Sequence, residues 1–122
     1  NIYSAHDTML YNGYFYVGTE VGNDFVEPTL REIYIEMEKL QNEMVGDDEM
    51  EMVRNYLLGS LLTNLDGAFN VSEVVKTFTV EGLPLQTFEG LVESIKTITP
   101  ETLRELAQKY FGKEKMWEVV VG

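Results

Sequence analysis

Apolar positions along this chain recur with two different periods, and the switch between them marks its elements. Over 13–21, Tyr14, Tyr16 and Gly18 alternate with Phe15, Val17 and Thr19. Period-two alternation rich in aromatic and β-branched residues predicts a strand there, and 1–9 reads as a partner strand. Tyr11-Asn12-Gly13 lies between the two. Asn-Gly is the strongest short hairpin signal, because both residues tolerate φ > 0.

From 24 onward the period lengthens. Val26, Leu30, Ile33, Met37, Leu40 and Met44 follow a 4-3-4-3-4 spacing. That spacing puts one apolar stripe along a helix of about five turns, predicted over 24–45. Asp24 is the expected N-cap, with Glu27 as its box partner and Pro28 in or just beyond the first turn. Gly46 is expected to end the helix as its C′ residue. A second helix, over 48–65, carries Met50, Val53, Leu57, Leu61 and Leu65, with Asp47 as its cap. Asp66-Gly67 marks a corner, and a third helix follows over 68–81. Gly82-Leu83-Pro84 breaks the chain before a fourth helix over 87–96. Thr99-Pro100-Glu101 then opens a fifth: Thr caps, Pro takes the first helical position, and the acid complements the dipole. It stops at Gly112. Val119, Val120 and Val121 suggest a last strand over 116–121, buried on both faces. The order β-β-α-α-α-α-α-β lacks regular β-α alternation. It predicts an α+β fold, an antiparallel-rich sheet covered on one face by helices. The two long helices are expected to pack on each other and on the sheet.

Composition narrows the function. The 122 residues suit one domain, and 44% hydrophobic with 25% charged residues is globular rather than disordered. Twenty-one acidic residues face nine basic ones, a net charge of −12. A phosphate backbone needs clustered Lys and Arg, so no nucleic-acid partner is expected. No apolar run reaches the length of a membrane span, so no membrane insertion is expected. The chain has one His and no Cys. A mononuclear catalytic zinc takes three protein ligands, commonly two or three of them His, so no metal is expected on this chain.

Few residues offer chemistry. His6-Asp7 could pair as a base and its orienter, but neighbours in a strand point to opposite faces. Asp47-Asp48-Glu49 with Glu51 could suggest calcium. These acids open a helix, however, instead of alternating around a central Gly as an EF-hand loop requires. Tyr3, Tyr11, Tyr14 and Tyr16 crowd the hairpin, either as a sheet face packed on helices or as an aromatic peptide-binding face. No G-x-S-x-G, P-loop or H-E-x-x-H pattern occurs.

Taken together, several stretches resemble the insulinase, or pitrilysin-type, zinc metallopeptidases, a family that includes the mitochondrial processing peptidases. They are Gly13-Tyr14-Phe15-Tyr16-Val17-Gly18-Thr19-Glu20, Ile35-Glu36-Met37-Glu38-Lys39-Leu40, Gly46-Asp47-Asp48-Glu49-Met50, Glu81-Gly82-Leu83-Pro84, the run from Ile95 to Leu103, and Val119-Val120-Val121-Gly122. The likeness is to the later part of the family's non-catalytic, C-terminal half. It implies repeated α+β units, with zinc and an inverted H-x-x-E-H motif confined to the N-terminal half of the parent or to a partner chain. The non-catalytic half closes a chamber and helps hold peptide substrate, usually through an Arg and a Tyr in a stretch like R-x-x-x-G-x-x-Y. By its spacing to the hairpin, that stretch would end just before Asn1. No Arg precedes Tyr3, so no catalytic, cofactor-binding or metal residue is carried over.

Strand-like residues at both ends, Asn1–Ala5 and Val119–Gly122, lead us to expect a single segment, 1–122, of a longer bacterial protein. The expected partners are the catalytic half-domain or a partner subunit, and a peptide. The isolated segment is expected to self-associate through its free sheet edge. A compartment of cytoplasm or periplasm fits the absence of Cys equally. Two other readings stand beside this one. One is a structural or interaction subunit of the same family. The other is an unrelated acidic binding module, favoured if no sheet-on-helix layer forms.

Overall fold

The structure, a computed structural model, describes residues 1–9 and 11–122. Strands β1 (Ile2–Thr8) and β2 (Gly13–Thr19) are followed by a 3-10 turn at Asn23–Phe25 and five helices. These are α1 (Val26–Asn42), α2 (Asp47–Asn64), α3 (Ala68–Val80), α4 (Gln86–Thr97) and α5 (Pro100–Tyr110). A second 3-10 turn at Lys113–Lys115 follows. The fold is α+β, as the patterning implies.

β1 and β2 pair antiparallel, with Ile2 opposite Thr19 and Thr8 opposite Gly13. The turn differs from the expected Asn-Gly form. Gly13 already belongs to β2, and the Met9 N–H donates to the Asn12 carbonyl at 2.6 Å. Among the described residues only Gly67 and Gly82 have positive φ. Gly13 is small for another reason. A Cβ there would lie 2.9 Å from the Asp7 carbonyl and 3.2 Å from His6 Nε2. The remaining turn position, Leu10, lies outside the described residues.

Helix ends also depart from expectation. Asp24 sits inside the 3-10 turn and does not cap α1, whose N-cap position is Phe25. Gly46 does not close α1, which stops at Asn42. Its backbone is extended, and its carbonyl accepts from the Met50 N–H at 2.9 Å, so it opens α2. Asp47, the expected cap of α2, is instead its first helical residue, behind Gly46 and with no side-chain cap bond. At three other places the local signals hold. Gly67 (φ 88°) and Gly82 (φ 68°) make the two corners that an L side chain would strain. Thr99 Oγ1 accepts from the Thr102 N–H, with Pro100 in the first helical position.

Helix pairing is the larger correction. α1 packs along α5, and α2 along α4, whereas the two long helices were expected to pack on each other. The extended linker between α1 and α2, with ψ 153° at Glu43 and 151° at Gly46, directs α2 away instead of folding it back. Met37 of α1, Ala107 of α5 and Met50 of α2 are buried. The α1 stripe is where the spacing puts it: Val26, Leu30, Ile33 and Leu40 are half-buried around Met37, while Met44 lies beyond the helix and exposed. The α2 stripe holds at its ends, where Met50 is buried and Leu61 and Leu65 are partly covered, but between them Arg54 and Leu58 are partly covered in place of the exposed Val53 and Leu57. Met52, Tyr56 and Leu62 make α2 apolar nearly all round, so its spacing did not single out one face.

The last strand is absent. Among the described residues the sheet has two strands, and 116–121 is an unpaired segment with Trp117 94% and Val121 93% exposed. The 3-10 turn before it and a bond from Tyr34 Oη to Glu118 Oε1 (2.7 Å) hold this segment beside β2 across an open cleft. It is therefore near the sheet but not in a hydrogen-bonded ladder.

The accessible surface is 9938 Å². A compact protein of this mass would expose roughly 6,700 Å². Among the described residues no helix is long and apolar enough to cross a membrane.

Candidate functional site

Strand alternation sorts the hairpin side chains into two faces. The register puts Ile2, Ser4, His6, Phe15, Val17 and Thr19 on one face. That inner face turns toward the helices. Phe15 stacks on Phe111, just past α5, with ring centroids 5.2 Å apart. Between this face and α1 lies an open, mostly apolar cleft of about 830 Å³, with Ile33, Met37 and Leu40 on its helical wall. The hairpin thus faces α1 across an open cleft and meets the end of α5 through Phe15 and Phe111, without a packed sheet-on-helix layer among the described residues.

The outer face carries Tyr3, Ala5, Asp7, Tyr14, Tyr16 and Gly18. Tyr3 meets Tyr16 edge to face at 6.0 Å, and Tyr16 meets Tyr14 at 5.8 Å with ring planes 39° apart. The three rings form a ladder. Tyr3 lies across its cross-strand partner Gly18, where a Cβ would come within 2.7 Å of the ring. A larger residue there would push Tyr3 off the ladder. Tyr14 Oη donates to Asp7 Oδ2 at 3.1 Å. That hydrogen bond, and then the negative charge of Asp7, raise the Tyr14 phenol above its ordinary pKa. Tyr3 and Tyr14 remain half-exposed, so the ladder is a surface and not a core layer.

Of the candidates read from the sequence, three tyrosines come together and Tyr11 does not; it is 93% exposed in the turn. His6 and Asp7 point to opposite faces, as strand geometry requires. Asp7 bonds to Tyr14, and the His6 ring lies over Gly13. Asp47, Asp48 and Glu49 line the first turn of α2, where they complement its dipole. Among the described residues no three His, Asp or Glu side chains are grouped to hold a metal ion. The coupling of Asp7 to the ladder was not anticipated from the sequence. It was readable once the register was known, because Asp7 falls directly opposite Tyr14.

No family model, curated protein or solved structure matches this chain.

Proposed function

We propose that this chain is a non-catalytic domain of an insulinase-like zinc peptidase, which helps hold a peptide substrate without cleaving it. The observation that carries the reading is the tyrosine ladder on the outer hairpin face, with Tyr3 and Tyr14 half-exposed. Tyrosines offer broad, rigid contact surface with a polar tip and lose little conformational entropy on binding, which suits a face that grips peptides of varied sequence. Among the described residues no third strand covers the outer edge of β1, so its backbone groups are open to an extended peptide that bonds as a further strand. Three of the stretches that resemble the family fall at structural joints. Glu81-Gly82 ends α3, Gly46-Asp47 opens α2, and Thr99-Pro100 opens α5.

A second reading, a structural or interaction subunit of the same family, draws on a different surface. Tyr56 and Leu62 of α2 and Phe69 of α3, the last 89% exposed, offer apolar area for a protein partner.

One experiment separates the two. A fluorescein-labelled unstructured peptide is titrated with the chain, and anisotropy and peptide integrity are followed with zinc present. We expect saturable binding with no cleavage, weakened several-fold by Tyr16→Ala. Cleavage of the peptide, or no peptide binding, would overturn the proposal. The latter result, together with binding of a protein partner without peptidase activity through the α2–α3 surface, would establish the second reading.

A further inference from the structure

We infer that the outer hairpin face is a subsite for an arginine side chain, carried by an extended peptide that adds along the outer edge of β1. The inference rests on the peptide-holding reading above and specifies its ligand.

Charge is the first argument. Residues 1–22 contain no Lys or Arg, and the chain as a whole carries −12. Asp7 therefore sits on a face with no neighbouring cation in sequence. Among the described residues the ion pairs are Lys39–Glu36 and Lys76–Glu73, so neither involves it. Aromatic faces are the second. Lys109 lies over the Tyr110 ring at 4.8 Å, and Lys113 over Tyr34 at 5.0 Å. The ladder rings of Tyr3, Tyr14 and Tyr16 carry no such cation among the described residues, yet present the same negative ring faces beside a carboxylate.

Shape decides where the cation goes. On β1, small Ala5 lies between Tyr3 and Asp7 on the outer face, directly opposite Tyr16. A strand added at the β1 edge would lie about 4.8 Å away. A long side chain from it can cross over Ala5, reach the Tyr16 ring and place its head group beside Asp7. Arginine suits this path better than lysine. Its planar guanidinium stacks on a ring while its N–H groups stay free to donate to a carboxylate. The Asp7 Oδ2 already accepts from Tyr14, which orients the carboxylate on the ladder side of β1.

The test puts the decisive change in the ligand, so that folding of a variant is not at issue. A short Val/Thr peptide with one central arginine is compared with the same peptide carrying citrulline, a neutral isostere. We expect the arginine peptide to bind about tenfold more tightly at low salt, the scale of one cation–π contact with an ion pair. The difference should shrink as salt is added. Asp7→Asn should abolish most of the difference in affinity between the arginine and citrulline peptides. Equal affinity of the two peptides for the native chain would overturn the arginine subsite while leaving peptide holding intact. Binding of neither peptide would overturn both.

Discussion

The two helix pairs of this molecule solve the same problem with different means. In both, a polar side chain from one helix satisfies backbone carbonyls at the end of another, groups that helix geometry leaves without intrahelical partners. Between α1 and α5, Gln41 Nε2 donates to the Phe111 carbonyl at 3.2 Å, and Gln108 Nε2 to the Gln41 carbonyl at 2.8 Å. Between α2 and α4, Arg54 alone spans two carbonyls, Ile95 at 3.0 Å from Nε and Ile98 at 2.9 Å from Nη2. The first pair also buries an apolar side chain on each helix, Met37 of α1 and Ala107 of α5. In the second, Met50 is the one buried side chain, and α3 has none. The first pair is thus held by packing with polar bonds added, and the second mainly by a polar clasp.

That contrast can be broken at its strongest point. Met37→Asp should destabilise the chain by on the order of 3 kcal/mol, because an unpaired charge or its protonated acid replaces a buried apolar group. Glu38→Ala, one residue along and exposed, should stay within about 0.5 kcal/mol. Urea midpoints measure both, and equal midpoints would show that the α1 face is wrongly assigned. Amide exchange sharpens the comparison further. If Met37→Asp leaves α2 and α4 amides protected while α1 and α5 lose protection, the two pairs are separate cooperative units.

Arg54→Met tests the second pair. It keeps most of the side-chain length but strands two helix-end carbonyls, at an expected cost of about 2 kcal/mol. The loss should appear first as faster exchange of α4 amides, and no change in that helix would show that the clasp is idle.

Thr99 joins the two pairs, since it follows the α4 end and caps α5. Thr99→Ala should cost about 1 kcal/mol at neutral pH. The neighbouring Glu101 carboxyl is held below its ordinary pKa, first by its own backbone amide and then by the Thr99 hydroxyl. A depressed carboxyl contributes stability that is whole above its unfolded pKa and disappears as pH falls through its folded one. The cost of Thr99→Ala should therefore shrink in acid, a trend readable from thermal midpoints across the carboxylate range. A cost independent of pH would leave the backbone cap as the whole effect.

The candidate site divides along a similar line. Strand alternation and aromatic content made the hairpin and its tyrosine cluster visible before any coordinates. Which tyrosines stack, and that Asp7 bonds to Tyr14, depends on register, and the Asn12-Gly13 signal suggested a tighter turn than the one that forms.

What the sequence by itself determined was local. Period and breakers set the five helices, the two corner glycines and the Thr99-Pro100 start, because each rests on φ/ψ preferences or bonds within a few residues. Only the tertiary structure decided which helices pair, which side of α2 is covered, and that 116–121 lies unpaired beside β2 despite three consecutive valines. Those outcomes turn on contacts between distant positions, Arg54 with Ile95 and Tyr34 with Glu118 among them. β-propensity describes a fit to neighbouring strands and faces rather than an intrinsic backbone state, so a valine run supplies a strand only where an edge is presented in register.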